Sequence, residues 1–155
     1  MLRKQDYNKY SVNNNIYLQN KTHNVPKIDL YNSGHNAYVT YHTYYKNEPL
    51  SDVACSDGPN GLISKLGYES LNGKLWPYVT SWSDVSWNSK NCGKCLNLKS
   101  DTNSVNVIAI DGCGKQKGET HFDVSEIAFK KLFGTLKNGN GYVSYSIVDA
   151  KNCGL

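Results

Sequence analysis

The chain has 155 residues, with 17 Lys and Arg against 13 Asp and Glu, a formal net charge of +4. That length fits one domain with a tail, and the mild charge sits on scattered lysines, without the basic stripe of a nucleic-acid binder. No apolar run is long enough to span a bilayer, while 12 tyrosines among many asparagines suit a wet, polar binding surface.

In chain order, "MLRKQDYNKY" is positively charged but leads into no apolar stretch. It is not a secretory signal as it stands, which leaves either a signal already removed or a cytosolic chain. Residues 1–36 are rich in Asn, Lys and Tyr without periodicity, which predicts a polar, poorly ordered extension before a domain at 37–155. The sequon Asn20-Lys21-Thr22 lies within it. "AYVTYHTYY", residues 37–45, reads as a strand. Alternation divides its tyrosines between two faces and puts Thr40, His42 and Tyr44 on one of them.

"SDVACSDGPNGLISKLG" turns at Asp57–Gly61 and makes one or two helical turns before Gly67. The stretch from Leu71 to Cys95 reads as a long connection carrying Trp76, Trp82 and Trp87, with Trp87 expected in the core. "CLNLKS" and "SVNVIAID" pair across a turn at Asp101–Asn103, and "GCGKQKGET" is a glycine-rich loop. In "ETHFDVSEIAF", Asp123 and Glu126 have capping-box spacing, so Asp123 is expected to start a helix that Gly134 ends. His121 beside it reads as a solvated loop histidine, or as one that tunes the acid's proton. "GYVSYSIVDA" alternates Val143, Tyr145 and Ile147 against Ser144, Ser146 and Val148, a half-buried strand. Together these elements predict a small mixed barrel or a β-rich α+β domain.

The cysteines are Cys55, Cys92, Cys95, Cys113 and Cys153. One C-x-x-C is too little for a zinc site, so no metal or other cofactor is expected. A disulfide framework formed in an oxidising compartment fits better. The odd thiol is free, buried or paired between molecules.

The segments "VACSDGPNGLISKLGY", "SWNSKNCGKCLNL", "VNVIAIDG" and the terminal "CGL" resemble the cerato-platanin family of small secreted fungal proteins, in order over Ala37–Leu155. The resemblance implies a mainly β fold: a six-stranded double-psi β-barrel with short helices, of the kind shared with expansins and some endoglucanases. It also implies the pairs Cys55–Cys92 and Cys95–Cys153, with Cys113 left as a buried small hydrophobe or a link between two otherwise monomeric chains. "HFDVS" is similar to the "HFDL" motif of expansins, a departure from the cerato-platanin pattern. It implies that Asp123 faces a polysaccharide groove, with Asp111 beside it and Thr40 contributed by the first strand. Tyr44 joins them as a candidate carbohydrate contact. Trp82 falls where relatives have small residues, and carries two readings: a sugar-stacking ring or an exposed contact for the tail.

Inverting hydrolysis needs two opposed carboxylates about 6.5–9.5 Å apart. The related endoglucanases place the base on the first strand a few residues after the threonine, yet here "TYHTYY" has no acid before Glu48. The expectation is therefore a secreted, non-hydrolytic protein that binds and loosens chitin or glucan chains, and that can elicit plant defence. One alternative is a lytic-transglycosylase-like enzyme using Asp123 as its single acid and base. The other is a protein-binding or protease-inhibiting module on the same barrel.

Overall fold

The structure, a computed structural model, describes residues 35–155. The expectation for the N-terminal extension, with its sequon, falls almost wholly outside the described residues. Six strands are present: β1 (His35–His42), β2 (Val79–Trp82), β3 (Cys95–Lys99), β4 (Ser104–Gly112), β5 (His121–Ser125) and β6 (Asn140–Val148). They close into a barrel in the order β1-β5-β2-β4-β3-β6. β1 runs parallel to β5 and β2 parallel to β4, and the other four contacts are antiparallel. Closure pairs every strand on both sides and leaves no edge open to another chain. Among the described residues two α-helices pack outside, α1 (Leu62–Leu66) and α2 (Glu126–Phe133). This is the six-stranded double-psi barrel that the resemblance implied.

Period-two alternation fills the barrel. Ala37 and Val39 of β1, Leu96 and Leu98 of β3, and Phe122 and Val124 of β5 are all at most 1% exposed. α2 adds Phe129 and Leu132, also fully buried. Burying each such large side chain is worth about 1.5–3 kcal/mol, which lets a polar chain hold a compact barrel. The disulfides Cys55–Cys92 and Cys95–Cys153 close loops of 37 and 58 residues. Each restricts the unfolded chain by an amount worth about 2–4 kcal/mol.

Three expectations are corrected here. Asp123 does not cap α2: it lies inside β5, and the helix starts two residues later, where the Ser125 side chain accepts from the Ala128 amide. Strand pairing on both sides of β5, with Phe122 and Val124 driven inward, outweighs the local capping signal. Gly134 ends α2 as expected, in the left-handed conformation with φ 77°. The connection after Leu71 is not irregular throughout, because it contains β2, a four-residue strand between β4 and β5. In β6, Val143 is buried but Ile147 is 52% exposed, so the alternation seen in sequence buries only part of its apolar face.

Candidate functional site

Strand register assembles a polar row on the outer face of the sheet. Thr40 of β1 pairs with Asp123 of β5, Asp123 with Ser81 of β2, and Ser81 with Asp111 of β4. Directly opposed residues share a face. Because Val39, Phe122 and Val124 point inward, Thr40 and Asp123 point out. A β-bulge between Thr80 and Ser81 completes the row: Thr80 pairs with Ala109, the next position skips Ile110, and Ser81 meets Asp111. Bulges re-aim side chains in this way. Without the extra residue, Ser81 would oppose a buried isoleucine.

The contacts along the row are short. The Thr40 hydroxyl donates to Asp123 Oδ1 at 2.6 Å and lies 2.7 Å from His121 Nε2. His121 Nδ1 lies 2.9 Å from the Gly114 carbonyl. A carbonyl only accepts, so Nδ1 carries a hydrogen. Thr40 thus bridges the two side chains, its hydroxyl within hydrogen-bond reach of both.

Tyr44 closes the row from behind. Its hydroxyl meets the Ser81 hydroxyl and reaches the Asp123 carbonyl at 3.4 Å. Burial pushes this phenol well above its ordinary range, and the charges of Asp111 and Asp123 push it further. Cys113, free among the described residues, directs its thiol toward the His121 carbonyl at 3.5 Å. Burial, and then Asp123 and Asp111, push this thiol up to about 12. A thiol held protonated is a poor nucleophile for exchange. Asp111 has a different task from Asp123: its Oδ1 accepts from the Ala54 and Gly112 amides, both at 2.8 Å. It pins the loop before α1 to the end of β4, and Ser81 separates it from Asp123.

Thr40, Tyr44, Asp111 and Asp123 are thus brought together, whereas Trp82 is not. Its ring is 3% exposed and stacks on Phe122 at 5.8 Å. Alternation explains the correction: Ser81 faces out, so its neighbour Trp82 faces in. Trp87 reverses too, being 61% exposed where the core was expected. His121 is no solvated loop residue but a strand residue 5% exposed. Ser81 and the structural part of His121 were missed by sequence reasoning. The cue for His121 was the His-Phe-Asp alternation itself; for Ser81 a strand of four residues and a bulge left almost none.

The closed double-psi barrel is of a structural class shared with expansins, and its outer face carries a threonine, two aspartates and a buried histidine along one row. The comparisons with known proteins agree. The cerato-platanin family model matches residues 37–155, and the chain belongs to that family. It is 35% identical over 130 residues to the heat-stable 19 kDa antigen of Coccidioides posadasii, covering 77% of this chain and 82% of the relative. Cerato-platanin 3 from M. perniciosa superposes with a TM-score of 0.69 at 29% identity, over 77% of this chain and 99% of that one. The solution structure of the fungal elicitor cerato-platanin gives 0.61 at 30% identity, over 75% and 95%. The fold is also shared with a Clavibacter michiganensis expansin, solved as a point mutant in complex with cellohexaose. That match has a TM-score of 0.55 at 19% identity and covers 74% of this chain and 50% of the expansin.

Proposed function

We propose that this is a secreted cell-wall protein that binds polysaccharide chains along the Thr40–Asp123–Ser81–Asp111 row and loosens their packing without cutting them. The observation that carries this reading is the division of labour between the two aspartates. Asp123 offers a carboxyl held in place by Thr40, whereas Asp111 commits an oxygen to two backbone amides. Both stand in one row instead of facing each other across a gap, and hydrolysis with inversion requires opposed acid and base. Glu48, the first acid after the threonine, accepts from the Tyr45 amide and serves a turn. The Asp123 carboxyl and the Thr40 hydroxyl on the outer sheet face suit the hydroxyl groups of a glucan or chitin chain, while Tyr44 is buried behind them with Ser81, a correction to its expected role as a sugar contact.

The cellohexaose complex of the fold-related expansin makes cello-oligomers one natural probe, and chitin is the other. Depletion of the protein from solution by insoluble cellulose or chitin, with no reducing ends released, is the expected result. No retention on either polymer would overturn the reading. Sugar release abolished by Asp123→Asn would instead establish the single-acid enzyme. The relative described as a fungal elicitor supports a further role for this chain in provoking plant defence, measured by infiltrating leaves with the purified protein.

A further inference from the structure

We propose that Trp87 is an aromatic platform at the Asp111 end of the row, so that the site takes an oligosaccharide and stacks a ring on this indole. The inference rests on the binding reading above and adds a residue and a length to it.

Trp87 is the most exposed tryptophan of the chain, yet it is held still. Its indole N–H donates to Asp57 Oδ1 at 2.8 Å, and that bond, followed by one from Ser56, holds the Asp57 carboxyl below its ordinary range. The next residue, Asn88, sits in the left-handed region at φ 57°. It is clamped to Asn60 twice: its side-chain oxygen accepts from the Asn60 amide, and its carbonyl accepts from Asn60 Nδ2, both at 2.9 Å. The Cys55–Cys92 disulfide ties the same two loops together. None of these constraints buries the ring. An immobilised, solvent-facing indole has already lost the side-chain freedom that binding would otherwise cost.

Its position is fixed relative to the row. The Val85 carbonyl lies so close over Gly112 that a Cβ there would stand 2.4 Å away, so the loop bearing Trp87 leaves directly from the residue after Asp111. On the partner loop, Ala54 is held by Asp111 and Cys55 donates to the Ile110 carbonyl at 3.1 Å. The row's other end is aromatic as well. Tyr38 shares Thr40's face by alternation and meets Tyr142 edge-on at 5.4 Å, with Tyr142 50% exposed. The row itself crosses β1, β5, β2 and β4, three interstrand steps or about 14 Å measured along the sheet. A polar strip of that length between two aromatic ends matches several linked sugar rings instead of one.

The test uses cellohexaose, chitohexaose and their disaccharides with the native chain, Trp87→Ala and Trp87→Phe, followed by calorimetry and tryptophan fluorescence. The native chain is expected to bind a hexamer at least tenfold more tightly than the disaccharide, with a fluorescence change. Trp87→Ala should lose at least tenfold in hexamer affinity and leave the disaccharide unaffected. Trp87→Phe should recover most of the hexamer affinity while the fluorescence change disappears. Full hexamer affinity in Trp87→Ala, with its melting temperature intact, would overturn the platform and leave the groove standing. Failure of the native chain to bind either hexamer would overturn the groove itself.

Discussion

Thr40 and Asp123, 83 positions apart, are joined by a 2.6 Å hydrogen bond across the parallel pairing of β1 and β5. The same hydroxyl is 2.7 Å from His121, so it serves two ionisable neighbours with one hydrogen. Replacing Thr40 by valine keeps the shape and removes both contacts. The expected outcome is a loss of about 1–3 kcal/mol in stability, because partly buried polar groups lose their partner. Polysaccharide retention should fall at the same time, and Thr40→Ser should restore both. Urea titrations and pull-downs on cellulose check the two effects separately.

The orientation of the His121 ring can be followed directly. The Gly114 carbonyl accepts from Nδ1, so a hydrogen is expected on that nitrogen in the native chain and in Asp123→Asn alike. Nitrogen-15 spectra of the imidazole read the tautomer. A variant found with its hydrogen on Nε2 would contradict the hydrogen-bond pattern.

Cys113 predicts a loss of stability in alkali. Its folded-state thiol is raised to about 12 from an ordinary 9.0, so between those values the folded chain holds a proton that the unfolded chain has released. Stability from this group is complete below the ordinary value and declines as pH rises toward the folded one. The denaturation midpoint is expected to fall with pH above 9, and less steeply in Cys113→Ala. Equal slopes for the two proteins would show that another group dominates, Tyr44 being the first to examine because its phenol is raised in the same sense.

Trp82 separates packing from recognition. Its indole N–H is buried and finds no partner among the described residues, which penalises the folded state. Trp82→Phe should therefore change stability by less than about 1.5 kcal/mol, as volume-tolerant apolar swaps do. Trp82→Ala should cost about 3–5 kcal/mol. Trp82→Ala is expected to leave the polysaccharide retention of its folded fraction unchanged, whereas a sugar-stacking tryptophan would lose retention on truncation to alanine. Thermal melts beside pull-downs decide it.

Ser125 is expected to matter to α2 as Asp123 does not. Its hydroxyl accepts from the Ala128 amide and donates to the Pro77 carbonyl at 2.7 Å. Ser125→Ala should cost about 1–2 kcal/mol, in the range for a lost cap. Asp123→Asn should leave the helix intact, as circular dichroism during urea unfolding will report.

What could be read from the sequence follows the range over which each signal acts. β3 and β4 carry their apolar alternation across a tight turn, so their pairing was visible, as was the helical run ending at Gly67. The disulfide pairs and the barrel fold come through family resemblance, since cysteines 37 and 58 positions apart leave no local trace. Local spacing makes Asp123 a helix cap, and that reading fails because pairing on both sides of β5 is a tertiary fact. Trp82 is buried and Trp87 exposed, the reverse of expectation, for a similar reason. The bulge that turns Ser81 outward and the clamp from Asp57 are set by partners remote in sequence.

The polar row draws one residue from each of four neighbouring strands, and no single segment of the chain contains it. It exists only while the barrel is shut, so any sugar chain seated there would act as a fastener on the whole fold. At a free ligand concentration about one hundred times the dissociation constant, such a guest would add about 2.7 kcal/mol to the unfolding free energy. Heat resistance in the presence of wall polymer is thus a way to detect an occupied surface even where nothing is cleaved.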